Sequence, residues 1–492
     1  MRDRPLSLPA HVASVAPRDL ADARRLAAAV PAKATAIEYR LDGAAEKIAP
    51  ATLAEVDSRP VIVTWRSVRE GGHFDGSPEE YRRLVSEAAE AGAIVDIEHS
   101  SGLADRPDFV ERRRLLVSSH FPFGLPPDWE ARLAAMRQKG ALAVKLVAGA
   151  AHLRASIDMA EIQRRCADGA TSIFPMGPAS APGRILAALF GGALVYGSVG
   201  RATAAGQLLL ADLLDVYTTD HARRPSALFG IVALDPSGSL SPTVYNAFFR
   251  SRNLPFLYLP VPVSDFERER PHEIELDPPF RGFSITQPWK TRAVGAGMAS
   301  EDVSATGAAN TLLRERRGWR AENTDVDGVF DPLSDHDTGE GRTALILGTG
   351  GAARAAIVAT RRLGYEVAVT GRRDEAADAL AERFGIDSLA WEDVSASEAD
   401  LYVNATPVGW RPDDPPAVPA RVLNARPLVF DCVYRRDGEA TSTVRAARAA
   451  GCRVIQGLEM FAVQAAAQAR LFGVEGVTRE EAARILAGER AA

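Results

Sequence analysis

Residues 140–150, "GALAVKLVAGA", form a short apolar run with one charge at its centre, Lys145. An apolar run of this length, bounded by glycines, predicts a buried β-strand. Because a buried, unpaired ammonium is costly, two interpretations of Lys145 are open. Either its head reaches solvent at the end of a flexible stem, or the strand holds an amine nucleophile for carbonyl carbon.

This run is the sixth of eight β-rich runs within about the first 220 residues. Amphipathic segments such as "RDLADARRLAAAV" and "SPEEYRRLVSEAAEAG" lie between them and predict helices. The eight runs are "HVASVA", "TAIEYRL", "PVIVTWR", "AIVDIEH", "RLLVSSH", "LAVKLV", "TSIFPM" and "ALVYGSV". Eight βα units in roughly 200 to 250 residues are typical of a (β/α)8 (TIM) barrel. We therefore predict such a barrel over residues 1–222.

Polar residues cluster where these predicted strands end. They are Glu38, Arg40, Arg66, Glu98, His120 and Lys145. The carboxyl ends of barrel strands converge on one pocket, so residues far apart in sequence are expected to meet there. A lysine that forms an imine with a ketone makes the neighbouring C–H bonds acidic, and a histidine beside it can move protons during an elimination. Arg66 and Arg184 are candidates to hold a substrate carboxylate.

Composition narrows the class of protein. Hydrophobic residues make up 46% and charged residues 25% of the 492 residues, which is ordinary for a globular protein. The net charge of −6 gives no support for a nucleic-acid or anionic-membrane partner. No apolar run reaches membrane-spanning length, and the first residues lack the core of a secretory signal. Three widely spaced cysteines, Cys166, Cys432 and Cys452, predict a reducing, cytoplasmic location without disulfides or a metal site.

The second half has a different organisation. After the joint "YTTDHARRPSALFG", we predict a small α/β domain over residues 226–333. The segment "DPLSDHDTGEGR" predicts a polar surface loop rather than a metal site, although it contains Asp335, His336 and Asp337. A Rossmann domain is predicted over 340–460, followed by helices over 461–492 that pack back on the smaller domain.

The Rossmann prediction rests on "LILGTGGAAR", where Gly348, Gly350 and Ala353 match the dinucleotide-binding fingerprint. Glycines there let the backbone approach a pyrophosphate at a helix N-terminus. The next predicted strand ends in "TGRR" and lacks the acidic residue that NAD enzymes place near the ribose. Arg372 and Arg373 suit a 2′-phosphate instead, so NADP(H) is the predicted cofactor.

The first half resembles type I 3-dehydroquinate dehydratase across residues 10–220. The motifs occur in the order "EYRLD", "TWRS" with "EGG", "DIEH", "SSH", "VKLV", "FPMGPASAPGR" and "ATAAGQ". The resemblance implies dehydration of 3-dehydroquinate to 3-dehydroshikimate through a Schiff base. It implies Lys145 as the imine-forming lysine, His120 as the general acid/base and Glu70 as the acid that orients this histidine. The implied substrate-binding residues are Glu38, Arg40, Arg66, Arg184, Thr203 (serine in many members) and Gln207.

The second half resembles shikimate dehydrogenase over about residues 226–485. The motifs are "SLSP", "SITQPWKTRAV", "AANT", "AENTDVDG", "VNATPVG" and "GLEMFAVQ". The resemblance implies Lys290 and Asp325 as the catalytic pair. The implied substrate contacts are Ser239, Ser241, Thr286, Asn310, Tyr434 and Gln464. The implied NADP(H) contacts are Gly348, Gly350, Gly351, Ala352, Arg372, Arg373, Asn404, Thr406 and Gly457.

The sequence departs from the dehydrogenase pattern at three points. "GRR" replaces the usual "NRT", "ATSTV" replaces a "TPLL"-like stretch, and Glu459 replaces a glycine, as in plant-type fused enzymes. Ser241 and Thr286 are retained, which favours shikimate over quinate as the substrate.

The two halves together predict a fused enzyme for consecutive reactions, with 3-dehydroquinate, 3-dehydroshikimate and shikimate as its small-molecule partners and an open oligomeric state. Two alternatives remain at this point. One is another Schiff-base barrel, such as a class I aldolase, fused to an unrelated reductase. The other is a non-catalytic sensor that binds these metabolites.

Overall fold

The computed structural model describes residues 5–105, 110–220, 224–336 and 339–488. The chain divides into two compact units, Met1–Arg224 and Pro225–Ala492.

The first unit is built on eight parallel strands. They are β1 (Ala10–Val15), β2 (Ala36–Arg40), β3 (Val61–Thr64), β4 (Ile94–Glu98), β5 (Leu115–Phe121), β6 (Ala143–Gly149), β7 (Thr171–Met176) and β8 (Leu194–Ser198). The ladder runs in chain order from β1 to β7, and β8 pairs with β1. Near the remaining seam, the Ala193 amide donates to the Thr171 carbonyl at 3.2 Å. The predicted (β/α)8 barrel is confirmed.

Among the described residues of this unit, six α-helices accompany these strands. They are α1 (Leu20–Ala28), α2 (Pro50–Val56), α3 (Pro78–Glu90), α4 (Trp129–Arg137), α5 (Leu153–Cys166) and α6 (Ala181–Leu189). Helix α3 shows why such segments are helical. Ser77 caps its first turn by accepting from the Glu80 amide, and proline occupies its first position. Its buried residues Tyr81, Val85 and Ala88 lie four and three apart, on one face.

The second unit begins with a mixed six-stranded sheet. Its strands are β9 (Ala227–Ala233), β10 (Phe256–Pro262), β11 (Phe280–Ile285), β12 (Met298–Ala299), β13 (Thr311–Glu315) and β14 (Gly318–Glu322), in the order β10-β9-β11-β13-β14-β12. Its helices are α7 (Ser241–Ser251), α8 (Phe266–Glu269), α9 (Glu301–Thr306) and α10 (Asp325–Ser334).

A parallel six-stranded sheet follows, in the doubly wound order β17-β16-β15-β18-β19-β20. Its strands are β15 (Thr343–Leu347), β16 (Glu366–Thr370), β17 (Asp387–Leu389), β18 (Leu401–Asn404), β19 (Leu428–Asp431) and β20 (Val454–Gln456). The helices are α11 (Gly351–Arg362), α12 (Asp374–Phe384), α13 (Ala420–Leu423), α14 (Ser442–Ala449), α15 (Gly457–Leu471) and α16 (Arg479–Leu486). The α/β class with a Rossmann-like sheet is confirmed.

The last two helices share a core with the first sheet of this unit. Phe472, just beyond α15, packs its ring 4.7 Å from that of Phe229 and 5.6 Å from that of Tyr245. Phe461 and Ile485 belong to the same buried cluster. The C-terminal residues therefore complete the hydrophobic core around β9 and α7.

One sequence expectation is wrong. The segment predicted as a loop from Asp331 begins as helix, because α10 continues to Ser334 with Pro332 inside it. Val329 and Leu333 are buried one turn apart, which favours the helix over the turn-forming residues. Asp337 and Thr338 lie outside the described residues. Within the described ranges, no group of three or more His, Cys, Asp or Glu side chains could hold a metal ion.

A search of the described helices for membrane-spanning segments finds none that is long and apolar enough.

Candidate active sites

A cavity of about 520 Å³, counting its open mouth, occupies the end of the barrel where the strands terminate. The nine residues predicted for the first site all line it: Glu38, Arg40, Arg66, Glu70, His120, Lys145, Arg184, Thr203 and Gln207. They come from five strands or their following loops and from helix α6. The barrel therefore brings together residues that are far apart in the sequence.

Lys145 is buried in the middle of β6, and its ammonium is not unpaired. Its Nζ lies 2.6 Å from Asp96 Oδ2 and 3.8 Å from Glu38 Oε1. The ring of Tyr196 lies 4.4 Å from the same atom. The lysine does not reach solvent, so the surface interpretation of Lys145 is wrong. The ion pair compensates the buried charge, and the amine nucleophile stays a prediction.

Asp96, in β4, is a site residue that sequence reasoning missed. Besides Lys145 it accepts hydrogen bonds from Arg66 Nη2 at 3.0 Å and from Ser118 Oγ at 2.5 Å. Burial alone would raise its pKa, but the Lys145 and Arg66 cations overcome this and hold the pKa of Asp96 well below its usual range. The signal was present in "IVDIE", because Asp96 and Glu98 are two apart and lie on the same face of the strand.

Arg66 is engaged by protein partners. Its Nη1 donates to Glu70 at 3.0 Å, to Glu98 at 3.2 Å and to the Ser118 hydroxyl at 2.9 Å. Together with its bond to Asp96, these contacts occupy most of its donors. The structure therefore places Arg66 in the cavity wall, where it balances three carboxylates.

His120 and Glu70 form a pair. The histidine Nδ1 lies 3.1 Å from Glu70 Oε2, and the same oxygen accepts from the His120 amide at 3.0 Å. Burial raises the pKa of Glu70 to about 7, although the nearby Arg66 opposes this. Burial also lowers the pKa of His120 well below 6.5, and Arg66 and Lys145 act in the same direction. The imidazole is thus neutral at neutral pH and able to accept a proton.

Arg184, in α6, is a buried cation. Its guanidinium lies over the ring of Phe174 at 4.9 Å, and its Nε has no hydrogen-bond partner. Among the described residues no carboxylate forms an ion pair with it, and burial lowers its pKa to about 10. A buried guanidinium of this kind could pair with a ligand carboxylate.

The other residues lining the cavity are held by partners that were not predicted. Asp42 binds the Arg40 guanidinium with both oxygens, at 2.8 and 2.9 Å. The Ser14 hydroxyl lies 2.6 Å from Glu38 Oε2 and 2.8 Å from Thr203 Oγ1. Thr203 donates in turn to Gln207 Oε1 at 2.7 Å. These contacts leave a row of polar groups suited to the hydroxyls of a small polyol.

The second unit joins Lys290, Asp325 and Asn310. Lys290 follows β11 on a short 3-10 turn, Asp325 begins α10, and Lys290 Nζ lies 2.5 Å from Asp325 Oδ2. The other carboxylate oxygen accepts from Asn310 Nδ2 at 2.9 Å. A lysine fixed by an aspartate in this way can hold and protonate a carbonyl oxygen.

The turn formed by residues 348–351, which we call the glycine turn, lies against Lys290. A Cβ on Gly351 would come within 2.7 Å of Lys290 Cβ, so the two backbones approach closely. Gly348 has a φ of +121°, and a Cβ there would lie 2.8 Å from the Ala405 carbonyl oxygen. A Cβ on Gly350 would meet open space. The turn thus has an open face at the N-terminus of α11, which fits a dinucleotide pyrophosphate.

The arginines predicted for a 2′-phosphate lie next to this turn. Arg372 and Arg373 are exposed beyond the end of β16. A Cβ on Gly371 would lie 2.9 Å from Thr349 Cγ2, so the two loops are in contact. Ala352 belongs to the first turn of α11, next to the glycines.

A second cluster contains four of the predicted substrate contacts, Ser239, Ser241, Tyr434 and Gln464, whereas Thr286 lies beside Lys290. Ser239 Oγ accepts from the Ser241 amide at 3.1 Å. Burial raises the pKa of Tyr434 to about 12, although the nearby Ser239 opposes this. The ring of Tyr434 packs against Phe461 at 5.2 Å, and Gln464 Nε2 donates to the Phe461 carbonyl at 3.3 Å. Thr286 starts the turn that carries Lys290, since its carbonyl accepts from the Trp289 amide at 2.9 Å.

Three predicted cofactor residues have internal roles. The Asn404 side-chain amide donates to Asp431 at 2.8 Å and to the Val408 carbonyl at 3.0 Å. Thr406 Oγ1 donates to Asn404 Oδ1 at 2.6 Å. A Cβ on Gly457 would lie 2.5 Å from the Val433 carbonyl oxygen, so packing alone requires this glycine.

Comparison with known proteins matches both units. Residues 11–224 match the family model of type I 3-dehydroquinase, and residues 231–312 match that of the shikimate dehydrogenase substrate binding domain. A bifunctional 3-dehydroquinate dehydratase/shikimate dehydrogenase, described as chloroplastic, from Arabidopsis thaliana is 28% identical over 460 residues, covering 86% of this chain and 74% of that protein. A shikimate dehydrogenase (NADP(+)) from Oleidesulfovibrio alaskensis is 35% identical over 257 residues, covering 51% of this chain and 91% of that protein.

A solved structure of dehydroquinate dehydratase and shikimate dehydrogenase from S. pombe is 20% identical, covers 99% of both chains and has a TM-score of 0.43. The first-unit match displaces the aldolase alternative, since the model that fits is that of the dehydroquinase. The chain therefore belongs to the shikimate dehydrogenase family, and its first unit is a type I 3-dehydroquinase domain.

Proposed function

We propose that this chain is a bifunctional enzyme for two consecutive reactions. The first unit dehydrates 3-dehydroquinate to 3-dehydroshikimate, and the second reduces 3-dehydroshikimate to shikimate with NADPH. The observation that carries the proposal is the cavity in which Lys145, the His120–Glu70 pair and Arg184, which has no ion pair among the described residues, converge. A buried amine, a neutral imidazole and a cation able to pair with a carboxylate are the groups that a Schiff-base elimination on a carboxylate substrate needs.

In the first unit, Lys145 is the nucleophile for the ketone. Its ammonium gives up a proton, and Glu38, whose Oε1 lies 3.8 Å from Nζ, is the nearest carboxylate to receive it, because the pKa of Asp96 is held too low. The amine then adds to the carbonyl carbon, and one water leaves as the imine forms. Arg184 pairs with the substrate carboxylate, while Glu38, Arg40, Thr203 and Gln207 bind the hydroxyls.

His120 carries out the elimination. Its imidazole takes a proton from the carbon next to the iminium, and the electron pair is drawn toward the positively charged nitrogen. The same imidazole then gives a proton to the β-hydroxyl, which leaves as water. Glu70 holds the ring in place through Nδ1, so that Nε2 does the proton transfer. A final water hydrolyses the imine and frees Lys145.

In the second unit, Lys290 and Asp325 position and protonate the carbonyl oxygen of 3-dehydroshikimate. Bound NADPH supplies the hydride for this reduction. Gly348, Gly350, Gly351 and Ala352 would hold its pyrophosphate, and Arg372 and Arg373 its 2′-phosphate. Ser239 and Ser241 bind the substrate carboxylate, with Thr286, Asn310, Tyr434 and Gln464 around the ring. We further propose a cytoplasmic location, which suits a chain whose three cysteines are free thiols.

The test is one reaction mixture with the enzyme, 3-dehydroquinate and NADPH, followed by NADPH absorbance. We expect oxidation that needs both reagents. Lys145→Ala should stop it, and added 3-dehydroshikimate should restore it. Lys47→Ala, at an exposed lysine of the same unit, is the matched control. Borohydride added with 3-dehydroquinate should attach the substrate covalently to the wild type and not to Lys145→Ala.

The contrary outcomes are distinct. If Lys145→Ala silenced both activities in a folded protein, the two-site proposal would be wrong. Binding of 3-dehydroquinate without turnover or trapping would favour the sensor alternative for the first unit.

A further inference from the structure

Asp431, at the end of β19, is a fully buried carboxylate that the proposed reaction does not use. Three groups donate to it. Asn404 Nδ2 and the Val433 amide bond to Oδ1 at 2.8 and 3.1 Å, and the Thr441 hydroxyl bonds to Oδ2 at 2.5 Å. A buried carboxylate with three donors and no described ion pair lowers the stability of the folded state. We therefore ask what its hydrogen bonds hold in place.

The first donor, Asn404, has no capacity left for a ligand. Its two amide hydrogens go to Asp431 and to the Val408 carbonyl. Its carbonyl oxygen accepts from both the amide and the hydroxyl of Thr406. The Thr406 hydroxyl accepts in turn from the Val408 amide at 3.2 Å. These side chains fold residues 404–409 into a fixed loop, which we call the β18 loop.

The β18 loop lies directly against the glycine turn. A Cβ on Gly348 would lie 2.8 Å from the Ala405 carbonyl oxygen and 3.3 Å from the Thr406 nitrogen. The other end of the β18 loop lies against Thr441, since a Cβ on Gly409 would lie 3.2 Å from Thr441 Cβ. The loop is therefore placed between the dinucleotide turn and the start of α14.

The third donor, Thr441, links Asp431 to that helix. Its hydroxyl caps α14 by accepting from the Val444 amide at 3.1 Å and donates to Asp431. Thr441 belongs to the "ATSTV" stretch that departs from the family pattern, and the structure shows it well packed. Asp431 thus ties three segments together: the β18 loop, the first turn of α14 and the backbone that leads to Tyr434.

We infer that Asp431 is a positioning residue for the NADPH site, holding the β18 loop against the glycine turn through Asn404 and Thr441. Asn404 and Thr406 then shape the loop, and its backbone faces the cofactor. The inference deepens the proposed reduction and rests on it for the identity of the dinucleotide. Burial raises the pKa of Asp431 to about 6 despite its donors, so at neutral pH the carboxylate depends on all three hydrogen bonds.

The test compares Thr441→Val with Thr441→Ser. The valine keeps the shape and loses the hydroxyl, whereas the serine keeps the hydroxyl. We expect the valine variant to bind NADPH about 10-fold more weakly by cofactor fluorescence, or about 1.4 kcal/mol, and the serine variant to stay within about 2-fold of the wild type. KM for NADPH should rise by the same factor, with KM for 3-dehydroshikimate unchanged. The dehydratase rate of the same chain reports the amount of folded enzyme.

A second measurement does not depend on the cofactor or on turnover. Amide hydrogen exchange in a peptide covering the β18 loop should be faster in Thr441→Val, and in Asp431→Asn, than in the wild type and Thr441→Ser. Unchanged exchange with unchanged NADPH affinity in the valine variant would overturn the inference. Equal losses of NADPH and 3-dehydroshikimate affinity would also overturn it, because they indicate general loosening of the unit. A wild type that binds NADPH without reducing 3-dehydroshikimate would instead contradict the proposed function.

Discussion

Arg184→Met should stabilise the barrel while it destroys substrate binding. The guanidinium is buried without a described ion pair, and its pKa is lowered from 12.5 to about 10. Since a pKa unit corresponds to about 1.4 kcal/mol, the charge costs the folded state about 3 kcal/mol. Both states carry the proton below pH 10, so this cost is complete at pH 7 and shrinks only as the pH rises through 10 toward 12.5.

Methionine keeps an apolar stem and removes the charge. It also loses the contact with the Phe174 ring, worth about 0.5 to 2 kcal/mol, so the expected net gain in unfolding free energy is about 1 to 2.5 kcal/mol. A lost charge-assisted contact to the substrate carboxylate should cost about 2 to 4 kcal/mol, or roughly 30- to 1,000-fold in dehydratase kcat/KM.

Hydrogen exchange in peptides from β7 and α6 measures the stability of the barrel itself. A local measurement is needed because a chain of two units need not unfold in a single transition. Arg154→Met is the control, because that arginine is 60% exposed and pairs only within its helix, so its loss should change stability by less than about 0.5 kcal/mol. A barrel in Arg184→Met that is less stable than the wild type by about 1 kcal/mol or more would refute the reasoning, since it would reveal a stabilising partner for the guanidinium. Undiminished kcat/KM would refute the carboxylate role.

Three further changes test other parts of the two sites. Glu70, with its pKa raised to about 7, becomes protonated as the pH falls through 7, so dehydratase kcat should fall there. Glu70→Gln should lower kcat roughly 10- to 100-fold and abolish the fall in kcat below pH 7. An unchanged pH profile would show that Glu70 does not control the proton transfer by His120. Lys290→Met should lower reduction by about 1,000-fold or more and leave dehydration intact, so that the absorbance of the enone product accumulates; continued reduction would remove the lysine from the mechanism. Arg373→Asp should lower the preference for NADPH over NADH by about 10-fold or more, measured as the ratio of kcat/KM values, and an unchanged ratio would place the 2′-phosphate elsewhere.

The eight-stranded barrel was predictable because each strand is a separate apolar run with a helical segment between it and the next. Parallel strands buried on both faces leave that pattern in the sequence. The end of α10 was not predictable in this way. The turn-forming residues around Pro332 favour a loop, and only the core that buries Val329 and Leu333 outweighs them.

The candidate sites were predictable at the residues that carry recognisable motifs. Lys145, His120 and Glu70 do meet in one cavity, and Lys290 and Asp325 form an ion pair in the other unit. Their internal partners were not predictable, because hydrogen bonds between strands depend on register. Asp96 meets Lys145 only because β4 and β6 flank β5 in the folded sheet.

The same dependence on strand register explains why the internal role of Asn404 was not predicted. Its motif favours a cofactor contact, but the direction of its side chain is decided by Asp431 on the neighbouring strand, 27 residues later. A carboxamide satisfied by four internal hydrogen bonds cannot be told from a free one by its sequence position.

Arg66 couples the carboxylates of the dehydratase site to one another. Because it contacts Glu70, Asp96 and Glu98 at once, it connects the carboxylate beside Lys145 with the carboxylate beside His120. The charges of Arg66 and Asp96 act on Glu70, so the raised pKa of Glu70 depends on its neighbours as well as on its own burial. Substitutions among these residues are expected to be non-additive. An apparent ionisation in the rate profile therefore belongs to the whole cluster of charges, and double-mutant cycles, more than single variants, will divide it among the residues.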